Sequence, residues 1–300
     1  MKSVEPRKHG GTEVARRNQS PCLNWRQRFG FLLGLSVPPC LRGSIFFLLL
    51  CFPAHALDLH GKLEQGGIVR GQAQPGASIT LDGRAVPVDA EGRFLLGFGR
   101  EAEPHATLDI DGERRVLDIA PRPWKVQRID GLPPAKVTPD PAELARIKAE
   151  TELVAARRAV ITPKALFLDG LLTPADGPIS GVFGSQRILN GEPRAAHSGT
   201  DIAAPTGTPI RAVADGMVTL AHTDLFFTGK TAMIDHGLGL QTVYAHMSRL
   251  DVVEGQTVRR GQVIGAVGAS GRATGPHLHW GASWLDVRLD PETVLSVLAP

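Results

Sequence analysis

Four side chains capable of metal chemistry sit in two short segments: His197 and Asp201 in HSGTD, and His277 and His279 far downstream in GPHLHWG. Imidazole nitrogens and a carboxylate oxygen are what a Zn²⁺ ion takes up. Three protein ligands with one position left open make a hydrolytic rather than a structural site. In extended chain, residues two or four apart project from one face, so each pair can converge on a single ion if its segment is a strand. Gly199, Pro205, Gly207 and Pro209 around the first pair, and Gly275-Pro276 before the second, argue for turns and strands over helices. Spacing alone does not separate His277 from His279.

The intervening chain consists of short runs of Val, Ile, Thr, Leu and Ala punctuated by Gly, which predicts many short strands and a compact antiparallel β domain. The glycines from Gly255 to Gly275 read as turn residues. No strand–loop–helix unit and no terminal Lys-Ser/Thr supports a phosphate loop.

Residues from about Gly177 to Asp290 resemble the lysostaphin/LytM-type zinc metallopeptidases, bacterial enzymes that cut peptide cross-links in peptidoglycan. The resemblance rests on FGSQR, HSGTDIAAPTGTPI, ADGMV, IDHGLG, VYAHM, VEGQTVRRGQVIG and GPHLH, in the family's order. It implies that His197, Asp201 and His279 are the zinc ligands, and that His246 and His277 are a catalytic pair beside the metal. The implied mechanism is amide hydrolysis by metal-activated water. His277 would take the water's proton, and His246 would steady the oxyanion or protonate the leaving amine. The sequence does not assign these two roles.

Other residues near the motifs carry competing readings. His222 and His236 fit no ligand spacing and read as hydrogen-bonded turn residues. Tyr244, the only Tyr, lies two residues before His246 and so on its face in a regular strand, either donating to substrate or packed. Arg187 and Arg194 can recognise a substrate carboxylate or stand as solvated loop charges. Phe226 to Gly229 is a candidate groove wall.

The apolar run Ile45 to Phe52, preceded by Arg42 and followed by Ala54-His55-Ala56, reads as a secretory signal cut after Ala56, with an unusually long leader that suggests a later translation start. Past that point the chain carries 25 basic and 28 acidic residues, a formal charge of −3 in place of +3, so its basic isoelectric point is no argument for nucleic acid. Cys22, Cys40 and Cys51 all precede the cut, which removes disulfides, thiolate ligands and a Cys nucleophile from the mature chain. Leu50 before Cys51 disfavours a lipid anchor.

The expected architecture is mainly β. Residues 1–56 are an extension and signal; 57–120 form a small β-sandwich-like module with turns at Pro75-Gly76, Asp82-Gly83, Glu91-Gly92 and Asp111-Gly112; 121–165 are a Pro-rich linker and helix; 166–300 form the zinc peptidase domain, an antiparallel sheet. The helix is expected to start at Pro141 with Asp140 as N-cap and to carry a narrow stripe of Leu144, Ile147 and Val154, as a strut or as an arm over the groove. The expected function is that of an exported, periplasmic or extracellular Zn²⁺ endopeptidase acting on peptidoglycan stem peptides or cross-bridges, without a mature membrane anchor. Its rival is a silent LytM-type protein that binds the wall or activates an amidase.

Overall fold

The computed structural model describes residues 57–130 and 141–300; the proposed signal, the three Cys and the N-cap Asp140 lie outside the described residues. In the N-terminal part, alternation of Ile, Val, Leu and Phe with polar residues produces eight strands: β1 (Asp58–Gly61), β2 (Ile68–Gln72), β3 (Ile79–Leu81), β4 (Arg84–Ala85), β5 (Arg93–Gly97), β6 (His105–Ile110), β7 (Glu113–Asp118) and β8 (Val126–Ile129). Two-residue turns at Asp82-Gly83 and Asp111-Gly112 close the β3–β4 and β6–β7 hairpins with positive φ at both residues, the geometry that Asp-Gly tolerates best. The sheets β1-β2-β5 and β4-β3-β6-β7 enclose Ile68, Leu81, Phe94, Leu95 and Leu108. Each such buried side chain contributes about 1.5–3 kcal/mol.

Helix α1 (Pro141–Arg158) follows, and then β9 (Ile179–Gly181), β10 (Gln186–Leu189), β11 (Glu192–Pro193), β12 (Thr200–Ala203), β13 (Pro209–Arg211) and β14 (Gly216–Leu225). The chain ends with β15 (Gly229–Asp235), β16 (Leu240–Leu250), β17 (Thr257–Val258), β18 (Val263–Val267), β19 (His277–Trp284), β20 (Val287–Leu289) and α2 (Pro291–Val297). Among the described residues no helix is long and apolar enough to cross a membrane.

The large sheet runs β17-β14-β15-β16-β19-β12-β9, with β20 beside β19 and with β18 pairing both β13 and β16. Strand β19 carries two faces. Leu278, Trp280, Ala282 and Trp284 enter a core shared with the N-terminal sheets, where a Cβ on Gly97 would press on Trp284 at 2.7 Å. His277, His279, Gly281 and Ser283 therefore face the other way.

Two features depart from expectation. Strand β8, within the supposed linker, pairs in parallel with β10 and joins the β10–β11 hairpin in a separate three-stranded sheet. Helix α1 docks through Leu153 and Val154 on Leu220, Leu225 and Met233, while Leu144 of the expected stripe is half exposed. Polar contacts fix that seat: Arg146 donates to Asp224 O at 2.6 Å, Glu150 accepts from Phe226 N at 2.7 Å, and Gln241 Nε2 donates to the carbonyls of Arg158 and Val160 at 3.0 and 2.8 Å. The last two bonds satisfy helix-end acceptors that would otherwise be orphaned. Met233 pairs with Val243 and Ala245 with His279, so α1 sits on the same sheet face as the histidines, to one side of them.

Candidate metal centre

Asp201 and His279 are cross-strand partners in β12 and β19, so register alone sets the carboxylate beside the imidazole. Asp201 Oδ1 lies 2.9 Å from His279 Nδ1 and 3.0 Å from His197 Nε2, and the two nitrogens are 3.1 Å apart. Tetrahedral zinc ligands at about 2.0–2.1 Å from the ion sit roughly 3.3 Å from one another, so this triangle is close to one face of such a site. With both rings neutral and the His197 proton on Nδ1 against Val182 O, the triangle holds at most one proton among three electron-pair donors, whereas a divalent cation satisfies all three. The donor set thus fits a metal. Gly181 permits the approach of β9, since a Cβ there would overlap the Asp201 carboxylate.

His197 belongs to no strand. Its Nδ1 donates to Val182 O at 3.0 Å, its N–H to Ser185 O at 2.7 Å, and its carbonyl accepts from Gly184 N at 2.9 Å. The first of these bonds fixes the tautomer and points Nε2 at Asp201. The loop that makes these bonds is itself gripped by the N-terminal chain. Arg100 Nε donates to Gly184 O at 2.8 Å, Gln186 N donates to Lys125 O at 2.9 Å, and Trp124 meets Phe183 edge-on at 5.7 Å. The guanidinium groups of Arg100 and Arg122 lie 5.3 and 4.8 Å from the centre of the Trp124 ring.

His246 and His277 stand beside the triangle, with ring centres 4.7 Å apart. Each is oriented from behind: His246 Nδ1 donates to Ser270 O and His277 Nδ1 to Gly275 O, both at 2.8 Å. In the neutral form of each ring, Nε2 is then the nitrogen with the lone pair. Burial, followed by the neighbouring imidazoles of His277 and His279, pushes His246 down to about 4, so it is neutral at neutral pH. Burial alone would raise the Asp201 carboxyl, but hydrogen bonds from His197 and His279 hold it well below the usual carboxylate range. Burial also works against charge on His197 and His279. The contact with Asp201 outweighs it at His197, which is raised, and does not at His279, which is lowered.

The expectation that Tyr244 and His246 share a face fails. Tyr244 pairs with Trp280 on the core side, fully buried, and its hydroxyl accepts from Val213 N at 3.1 Å and meets Thr242 Oγ1 at 3.0 Å. Desolvation pushes that phenol up to about 12. His246 reaches the opposite face because its φ is +60°, a left-handed conformation that breaks the strand alternation. Non-glycine residues hold it only where surroundings enforce it. Here its N–H donates to Thr228 O at 2.8 Å, in the Phe226–Gly229 turn beside the site.

Two further histidines are structural. Buried His236 is bonded at both ring nitrogens, to Asp215 O and Thr242 Oγ1, at 2.7 Å each, and His222 Nδ1 accepts from Asp224 N. Arg194 is partly buried upstream of His197, and the side chain of Arg187 lies outside the described residues. The sequence offered no sign of Trp124, Arg100 or Ser270 as supports of the site, because each acts through a contact distant in the chain.

Residues 195–291 match the model of Peptidase family M23. Over 104 residues the chain is 46% identical to the DD-carboxypeptidase/endopeptidase Mpg of Neisseria meningitidis serogroup B, a match covering 35% of this chain and 23% of that protein. It is 43% identical over 103 residues to the peptidoglycan DD-endopeptidase ShyA of Vibrio cholerae, covering 34% and 24%. The chain therefore spans about a quarter of the length of these curated relatives. A crystal structure described as a putative peptidase M23 from Pseudomonas aeruginosa aligns with a TM-score of 0.63 at 32% identity, over 79% of this chain and 96% of that one.

Proposed function

This chain belongs to peptidase family M23, and from that membership we propose that it is an exported zinc endopeptidase that hydrolyses peptide cross-links of peptidoglycan. The observation that carries the reading is the convergence of His197, Asp201 and His279 on one point, with the imidazoles of His246 and His277 alongside. In this reading those three hold the ion, and His246 and His277 move protons. Zinc, the ion best matched by two nitrogens and one carboxylate oxygen, supplies polarisation of the scissile carbonyl and a water of lowered pKa when bound.

The residues of the chain do the rest. His277 and His246, both with Nδ1 donated to a carbonyl, present Nε2 as proton acceptors. His277, less enclosed than His246, takes the proton of the attacking water. Once protonated, an imidazole becomes a donor on both nitrogens and passes that proton to the leaving amine. His246 as built is a base, and it donates to an oxyanion only after gaining a proton itself. Residues 57–120 brace the His197 loop through Arg100, and residues 166–300 form the peptidase sheet. The wall-binding or amidase-activating alternative gains nothing from a site whose polar side chains are all present and oriented.

Mass spectrometry of fragments released from purified peptidoglycan by the zinc-loaded protein, with His279→Ala as the blank, tests the reading. Peptide fragments that require His279 support it and name the bond cut. Identical spectra from both proteins would refute it.

A further inference from the structure

Beyond His279 the active face of β19 continues through Gly281 to Ser283. Gly281 is buried, and a Cβ there would stand in ordinary contact with Ser198 O and Val243 Cβ at 3.6 Å and with His279 Nε2 at 4.0 Å; with glycine at this position, no side chain rises from this face of β19 between His279 and Ser283. Four residues of strand carry the face about 13 Å from the metal centre. At its far end Ser283 pairs with Gln241 on one side and with Arg288 of β20 on the other, so all three share the face of the histidines. Arg158, at the C-terminus of α1, closes this end, with its carbonyl bonded to Gln241 Nε2.

This end of the face has unmet polar demand. Arg158 is 9% exposed and its Nε has no partner; Gln241 Oε1 and Ser283 Oγ are likewise buried and unpaired. Neither Arg158 nor Arg288 has an ion-pair partner among the described residues. Asp286, which acts electrostatically on Arg158, is engaged by Arg84. Arg288 is solvent-accessible, and its field reaches both Arg158 and His279. Two guanidinium groups held together with orphaned hydrogen-bonding atoms are costly until a counter-charge arrives, and a carboxylate meets a guanidinium fork with two parallel bonds.

We propose that Arg288 and Arg158 form a subsite for a carboxylate of the substrate peptide, a few residues along β19 from the scissile bond. This rests on the peptidase reading for the identity of the ligand. Arg288 is the exposed member and Arg158 the buried one, so a peptide that leaves the metal centre over Gly281, where no side chain blocks it, is read by its acid group at Arg288. The subsite makes the enzyme selective for peptides that bear a free carboxyl.

The first readout is the ratio of kcat/KM for a purified cross-linked peptidoglycan peptide with a free C-terminal carboxylate to that for the same peptide as its carboxamide. The expected ratio is tenfold or more, falling toward one in Arg288→Gln and partly restored in Arg288→Lys. A ratio near one in the unaltered protein, or one that Arg288→Gln leaves intact, overturns the subsite. The second readout needs no catalysis: Nε–H signals of Arg158 and Arg288, followed by NMR in the zinc-loaded protein, should shift with N-acetyl-D-alanyl-D-alanine and not with its amide. Absence of shifts overturns the proposal, as do equal shifts from acetate, which would reduce the site to a general anion hole. Shifts without any cleavage would leave the subsite standing and overturn the peptidase reading.

Discussion

Asp201 and His279 on one side of the site, and His197 and His246 on the other, reach the same few ångströms by different means. The first two are opposite residues of adjacent strands, so the register that buries Trp280 and Leu278 also fixes their separation. The other two are placed from outside any strand alternation. His197 hangs on a loop gripped by Arg100, Trp124 and Lys125, and His246 is turned inward by a left-handed backbone held at Thr228 and Ser270. The difference teaches that half of the centre is as stable as the sheet, whereas the other half depends on contacts that can be cut without unfolding it.

Cutting the first half has the largest effect. Asp201→Ala removes a proposed ligand from the rigid pair, and peptide release should fall to the background of the metal-free protein, read by fragment mass spectrometry. His246→Ala leaves the three proposed ligands in place and removes one proposed proton carrier. The loss in kcat should be about 10²–10⁴-fold with metal content unchanged, which separates proton transfer from ion binding. A smaller effect is expected from Trp124→Ala, which loosens the loop under His197 without touching the triangle. Zinc affinity should drop by about 10–100-fold in a chelator competition, the range typical of groups that orient a ligand from behind. If affinity is unchanged, the N-terminal chain does not support the site.

The smallest expected effect lies in the sheet itself. Burial pushes His236 down to about 4 in the folded protein, against an ordinary imidazole value of about 6.5. Between those values the unfolded chain binds the extra proton and the folded one does not. Stability is therefore fully present above about pH 6.5 and falls by an amount on the order of 3 kcal/mol as pH drops to about 4. Urea unfolding across that range checks it, and a flat profile would contradict the assignment of a neutral, doubly bonded His236.

Part of this was legible in the chain because HLH lies in one strand and obeys period two. HSGTD named the right residues, but His197 lies outside β12 and is placed by its loop, whereas the Asp-Gly pairs announce hairpins that the structure contains. What escaped was the product of long-range contact. Tyr244 and His246 are two apart and yet face opposite ways, since no local rule forecasts a left-handed histidine. Of the stripe Leu144, Ile147 and Val154 on α1, Val154 packs on the sheet beside Leu153, whereas Leu144 is half exposed, with Arg146 and Glu150 tying the helix to the β14–β15 turn. Trp124 looked like part of a Pro-rich linker, and only the fold brings it to Phe183 and Gly184.

The central claim is that one face divides its histidines into ion holders and proton carriers. Zinc stoichiometry of purified single variants tests it most directly. One ion per chain is expected in the unaltered protein, in His277→Ala and in His246→Ala, with loss of the ion in His197→Ala, Asp201→Ala and His279→Ala. Loss of zinc from His277→Ala as complete as from His279→Ala would contradict that division.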